Sequence, residues 1–404
     1  MRQPLTGVQM LLYSAGSVGA GAFYAFNNFV LPPVLKSFGA TDLVIGLLSS
    51  TRSIEGAVIQ PTIGAASDRV WTRFGRRRPF MLVAVPLSAA FFVAAAFADS
   101  LVLLAAVIFL FSIFFNAAVD PYAALLADIS PFAQRAFLSG LSTGIQLASQ
   151  VAFLLLVVFA SAGASGVPLW TYAAVAALLL VGFGITIVGI REHHDIKHSA
   201  ERIPLRTYLN AVLRHGQAAR YLGTLFVYQF GWNAVLPYLV LFIIDDIHQT
   251  EQTGFALAAL ALLVTALSAV AFGKLADRVG TRPVMAVGWA LLAVAAVGGI
   301  VITTLPQTVA VVLLAGVGNG AATAVSWPLL TLLIPPEETG IFAGLKAASE
   351  SIAIPLSVFV AAELFLPRFG YRGIFAMLAV NIVVALVLLL RFVRVPRPAQ
   401  AAAH

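Results

Sequence analysis

The chain has 404 residues, of which 60% are hydrophobic and only 10% charged, with a mean hydropathy of +0.96. An ordinary soluble core cannot hide that much apolar surface, so lipid is the expected solvent. The net charge of +7 would suit a nucleic-acid partner, but the arginines sit in short loops beside apolar runs, which argues against one, and the absence of cysteine excludes disulfide and thiol chemistry.

A helix needs about 20 apolar residues to cross roughly 30 Å of hydrocarbon. In chain order this places spans at 8–35, 42–66, 79–98, 101–127, 136–161 and 167–190. A second series follows at 219–245, 251–275, 284–304, 307–334, 340–366 and 371–392. The first segment, with Asn27 and Asn28 inside it, is too long and too polar for the apolar region of a cleaved signal, and is expected to be a span. The longest polar interval includes REHHDIKHSAERIPLR and separates an N-terminal bundle, 1–190, from a C-terminal one, 219–404, through a cytoplasmic loop at 191–218. The expected fold class is all-α integral membrane, with twelve transmembrane helices in two pseudo-symmetric six-helix bundles.

Orientation follows from charge. The short stretch Pro61 to Phe80 carries Arg69, Arg73, Arg76, Arg77 and Arg78, and such an excess of arginine resists translocation. With that loop inside the cell, only Lys36, Arg368 and Arg372 fall outside and only Arg52 and Lys346 within spans. Both termini are then expected on the cytoplasmic side of the cell membrane, with the lipid bilayer as partner and the chain monomeric.

The two halves repeat each other. Gly64 to Arg69 (GAASDR) recurs as Gly273 to Arg278 (GKLADR), an offset of 209. Asn28 to Pro32 recurs as Asn233 to Pro237 at offset 205, and Gly140-Leu141 with Gln146 as Gly344-Leu345 with Glu350 at offset 204. Three near-equal offsets imply a duplicated six-helix unit, with a small-molecule cavity near mid-membrane and rocking of one half against the other.

Twelve spans, the six-plus-six repeat and GxxxDR in both halves resemble the major facilitator superfamily over essentially the whole chain. Pro61, Gly64, Asp68, Gly75, Arg78 and Pro79 stand at the spacing of the glycoside-pentoside-hexuronide sugar:cation symporters. Gln60-Pro61, Ser67-Asp68-Arg69, Phe74 to Phe80 and the Ala124 to Asp128 run ALLAD resemble the sucrose:proton symporters still more closely. The resemblance implies a secondary active transporter, with a proton gradient as driving force, no cofactor, and a disaccharide or related glycoside as substrate. A proton-antiporting exporter of sugars or amphiphilic compounds, or a transporter-like sensor without flux, are the alternatives. Melibiose-type members carry acidic residues where this chain has Gln60 and Gly56, so a sodium site there is not expected. The sucrose symporters carry an arginine and an acid where this chain has Ala123 and Ser112, which puts proton coupling by that fourth-helix acid in doubt.

Three sets of residues carry the expected chemistry. The cytoplasmic gate set is Gly64, Asp68, Arg69, Gly75, Arg76, Arg77, Arg78 and Asp128 in the first half, with Gly273, Asp277 and Arg278 in the second. Carboxylate–guanidinium pairs there would close one state and break in the other; a static loop clamp is the alternative. The coupling set starts with Arg52 and Glu55, three apart on one helix face and about 15 Å below the outer end of their span. Intramembrane charges of this kind face a cavity or fix packing as an ion pair. Asp120, before Pro121, would carry the proton or answer the loop arginines, and Lys346 and Glu350, four apart, form a second pair.

Sugar binding needs aromatic faces for the ring and amides or carboxylates for its hydroxyls. Tyr24, Asn27 and Asn28, Gln146 and Gln150, Tyr228, Gln229, Trp232 and Asn233, and Trp327 supply that chemistry. Interhelical hydrogen bonds and an aromatic belt are the competing reading. His193, His194 and His198 lie in the interdomain loop without a carboxylate or cysteine framework, so no metal site is expected, and no phosphate-binding loop or nucleophile motif supports an enzyme.

Overall fold

The computed structural model describes residues 4–50, 63, 67, 71–160, 167–192, 211–335 and 338–395. Among these the regular elements are helices: α1 Gly7–Ser37, α2 Asp42–Leu48, α3 Arg78–Ala95, α4 Leu101–Ile129, α5 Phe132–Ala160 and α6 Leu169–Gly189. Then come α7 Gly216–Asp245, α8 Glu251–Val279, α9 Thr281–Val301, α10 Leu305–Thr331, α11 Thr339–Val360 and α12 Leu366–Phe392. Ten helical stretches among the described residues are long and apolar enough to cross a membrane. One of them, Ile341–Phe392, has 52 residues and would extend about 78 Å if straight, enough for two crossings. It breaks at Gly370, whose φ of 61° and ψ of −164° lie outside the helical region and in a range only glycine adopts without strain. The span expected at 42–66 is described as helix over Asp42–Leu48; beyond Ser50 only Ile63 and Ser67 of that region are described.

Local chemistry sets the ends. Thr6 and Thr304 form capping boxes with Gln9 and Gln307, and Thr41, Ser100 and Thr250 accept from the backbone N–H of the third residue of α2, α4 and α8. The repeated Asn-x-Val-Leu-Pro motif has a structural consequence in both halves. Pro32 and Pro237 have no N–H to return to the carbonyls of Asn28 and Asn233, and both helices change pitch there. In α1 the turn Phe26–Val30 is a π-helix, and in α7 Leu236–Tyr238 is a 3₁₀ turn.

Helix packing in lipid relies on close approach rather than on exclusion of water. A Cβ on Gly19 would lie 2.6 Å from the Leu178 carbonyl, and one on Gly21 would lie 2.4 Å from the Gln146 carbonyl, which brings α1 onto α6 and α5. In the second half a Cβ on Gly320 would meet the Thr265 carbonyl at 2.5 Å, joining α10 to α8. Large apolar side chains on the outer faces stay exposed, Val102 at 80% and Phe159 at 76%, as lipid contact requires.

The chain forms two compact units, Met1–Glu201 and Arg202–His404. In the first, Phe23 and Phe26 of α1, Phe92 of α3, Phe111 and Phe115 of α4 and Tyr172 of α6 make a continuous aromatic core. Tyr13 and Tyr122 stack at 4.8 Å, and each hydroxyl donates to the other's backbone carbonyl.

Candidate functional site

A cavity of about 360 Å³ lies within the second unit, between α7, α9, α10 and α11. Tyr228, Gln229 and Trp232 reach it from one face of α7, with Trp289 from α9, Asn319, Ser326 and Trp327 from α10, and Lys346 and Glu350 from α11. Its aromatic wall is a stack: the fully buried Trp289 lies 5.2 Å from Tyr228 at 24°, and Tyr228 lies 6.4 Å from Trp232 at 18°. The Tyr228 hydroxyl donates to Asn319 Oδ1 at 3.1 Å, which fixes the ring's polar end. The buried members support the half-buried Trp232 at the end of the stack, which offers a ring to an apolar surface with polar groups at its edges.

Opposite in character is the charged side. Lys346 Nζ donates to Glu350 Oε1, and Gln229 Nε2 donates to the same oxygen at 3.2 Å. The two side chains are 23% and 13% exposed, so the pair has lost most of its water. A carboxylate here is held by an ammonium and an amide; protonating it removes the attraction and leaves Lys346 without its counter-charge.

The first unit carries a second constellation where α3 begins and α4 ends. Gly75, with φ 101°, turns the chain just before α3. The guanidiniums of Arg76 and Arg77 both donate to Asp128 Oδ2 of α4, at 2.6 and 3.2 Å, and Arg77 also reaches Ser67 Oγ. Arg76, Arg77 and Asp128 are 4%, 6% and 3% exposed, so the Asp128 carboxylate offsets part of the buried charge of the two guanidiniums. Glu192, three residues beyond α6, accepts hydrogen bonds from the backbone N–H groups of Arg76, Arg77 and Arg78 at 2.7, 2.9 and 3.0 Å.

The expected residues divide accordingly. Tyr228, Gln229, Trp232, Trp327, Lys346 and Glu350 meet at the cavity, and Gly75, Arg76, Arg77 and Asp128 meet at the charge cluster, with Arg78 contributing its backbone. Asn233 turns its amide back to the Gln229 carbonyl at 2.8 Å, and Asn27 donates to the Ser49 carbonyl at 2.8 Å. Tyr24 packs edge-on to Phe115, Asn28 and Gln150 are buried, and Gln146 and Asp120 are half-buried on α5 and α4. Asp277 and Arg278 are exposed, and among the described residues neither is in an ion pair; Gly273 has open space beside it. Arg52, Glu55, Gly64, Asp68 and Arg69 lie outside the described residues, as do His193, His194 and His198. Among the described residues no group of His, Asp or Glu could hold a metal.

Sequence reasoning missed Trp289, Asn319 and Glu192. Asn319, an amide amid the glycines of AGVGNGAA in a spanning helix, was a visible signal. Trp289 carries none, and Glu192 is marked only as the first acid after α6.

The model of the Major Facilitator Superfamily matches residues 13–223 and again 221–403. The chain belongs to the major facilitator superfamily. It is accordingly a multi-pass integral membrane transporter of the facilitator type and not an enzyme. This facilitator is similar to the proton-associated sugar transporter A of Homo sapiens, 45% identical over 60 residues, which are 15% of this chain and 8% of that protein. It is similar also to a sucrose transport protein of Oryza sativa subsp. japonica, 33% identical over 73 residues, 18% of this chain and 14% of that one. The chain therefore aligns with only a small part of either relative's length. A crystal structure of a D-xylose-proton symporter matches with a TM-score of 0.71 at 16% identity, covering 95% of this chain and 97% of that one, a likeness of fold.

Proposed function

We propose that this facilitator is a secondary active transporter that works by alternating access and carries a disaccharide or related glycoside into the cell together with protons. The observation that carries this reading is the cavity of the second unit, where a Trp289–Tyr228–Trp232 stack stands beside the Lys346–Glu350 pair. Stacked rings suit the apolar face of a pyranose, and Gln229, Asn319 and Ser326 suit its hydroxyls. The sugar transporters among its relatives support the same substrate class, and the resemblance of the motifs around Arg76–Arg78 and Asp128 to those of the sucrose:proton and glycoside symporters supports it too.

In the proposed cycle Glu350 takes a proton in the outward-open state, and its hold on Lys346 weakens. Sugar then completes the site, and the halves rock so that the cavity opens inward. The Arg76–Arg77–Asp128 cluster is part of the inner gate, intact while the outward state lasts and broken for release. The proton gradient is the driving force, no cofactor is needed, and the transporter acts as a monomer in the cell membrane with both termini in the cytoplasm.

The test is uptake of radiolabelled sucrose and maltose by proteoliposomes under an imposed inward proton gradient. Accumulation of either sugar above its outside concentration is the expected result; no movement of either, with or without the gradient, refutes the sugar assignment. Gradient-driven loss of sugar from preloaded vesicles would point to a proton-antiporting exporter instead.

A further inference from the structure

We infer that Glu192 is the positioning residue of the cytoplasmic charge cluster, a role that rests on the gate reading of that cluster. Three successive backbone N–H groups, those of Arg76, Arg77 and Arg78, converge on its carboxylate at 2.7, 2.9 and 3.0 Å. The last of them begins α3, an 18-residue helix, so the carboxylate also sits at the positive end of a helix dipole and satisfies donors that the helix itself leaves open. Gly75 is shaped to this partner. A Cβ there would stand 2.6 Å from both Cδ and Oε1 of Glu192, and its φ of 101° turns the three N–H groups toward one point.

The division of labour is what gives Glu192 its role. The side chains of Arg76 and Arg77 go to Asp128 and Ser67, while their backbones go to Glu192. Fixing the backbone at both residues aims two guanidiniums at one carboxylate oxygen. Without Glu192 the turn at 75–77 loses its only anionic backbone partner among the described hydrogen bonds, and both guanidiniums lose their aim. The sequence places these partners more than a hundred residues apart, at 116 positions for Arg76 and Glu192, which is why no local motif shows it.

The experiment uses the full chain, which has no native cysteine to give background. A single cysteine is introduced as Thr323→Cys on the cavity wall and reacted with a membrane-impermeant maleimide from the cytoplasmic side of inside-out vesicles. Glu192→Ala and Gly75→Ala are each expected to raise the labelling rate about tenfold, the change that loss of a charge-assisted hydrogen bond of this kind brings. Asp128→Asn should do the same, and Gly75→Ala should add little once Glu192 is alanine. Should Glu192→Ala fold poorly, Glu192→Gln keeps the shape and removes the charge, and is expected to raise labelling in the same direction. A merely structural role would lower the melting temperature and leave labelling unchanged. If Asp128→Asn labels faster while both Glu192 variants and Gly75→Ala label as the parent does, the positioning role is overturned and the gate stands. If none of them changes, the gate reading falls as well.

Discussion

Lys346 and Glu350 meet one turn apart on α11 as an ion pair, and the oxygen they share also takes the amide of Gln229 from α7. That convergence joins the charge of one helix to the cavity-lining face of another. An event at Glu350 is therefore felt by a residue lining the same cavity.

Removing the charge of Glu350 should uncouple transport without abolishing it. Glu350→Gln keeps the side chain's size and its contact with Gln229, but it neither binds nor releases a proton. Accumulation driven by a pH gradient should fall about tenfold or more, about 1.4 kcal/mol in the coupled step, while exchange of internal for external sugar persists. Loss of exchange together with accumulation would make Glu350 a binding residue rather than a coupling one.

The pair should also show its character in stability. Lys346→Ala strands a carboxylate that is only 13% exposed, whereas Lys346→Met with Glu350→Leu removes both charges. Breaking one partner of a dehydrated pair costs about 3–5 kcal/mol, while replacing both by apolar groups is often neutral. Thermal unfolding in detergent should therefore rank the single variant well below the double one. Equal losses would mean that the pair contributes packing rather than charge.

The aromatic wall separates binding from folding. Trp289 is fully buried, so Trp289→Ala should cost about 3–5 kcal/mol of stability, and Trp289→Phe, which preserves the stack on Tyr228, far less. Trp232 is only half-buried at the end of the stack. Trp232→Ala should leave the melting temperature nearly unchanged and raise the KM for sugar about tenfold, the mark of lost uniform binding. A change in Vmax alone would remove Trp232 from the sugar site.

Close helix packing predicts a contrast between glycines. Gly320→Ala would push a methyl group to 2.5 Å from the Thr265 carbonyl, while Gly140 has nothing within 4 Å of its Cβ position. Overpacking of this kind costs about 1–3 kcal/mol, so Gly320→Ala should lower the melting temperature measurably and Gly140→Ala should not.

Most of the fold was legible in the sequence because lipid leaves few options. Spans must be long, apolar and helical, so α1 at Gly7–Ser37 falls where 8–35 was expected, and the break before the last span falls at Gly370. The repeat motifs were legible too, but their consequence was not: that Pro32 and Pro237 mark a π-turn and a 3₁₀ turn depends on how each helix resolves its lost hydrogen bond. The site was read in part. Tyr228, Trp232, Lys346 and Glu350 stand together because α7 turns its aromatic residues and α11 its ion pair toward one cavity. Asn27 and Asn233 have the same side chain and spend it on backbone carbonyls, a choice set by neighbours that residue type does not reveal. Glu192 was missed because its partners are main-chain groups, which every residue carries.

The most direct measurement follows protons rather than sugar. Concentrated vesicles in weak buffer, with no imposed gradient, receive a pulse of sucrose or maltose while a pH electrode records the outer medium. Proton symport predicts a transient alkalinisation that disappears in Glu350→Gln. Sugar entry with no pH change, or with acidification, would contradict the account.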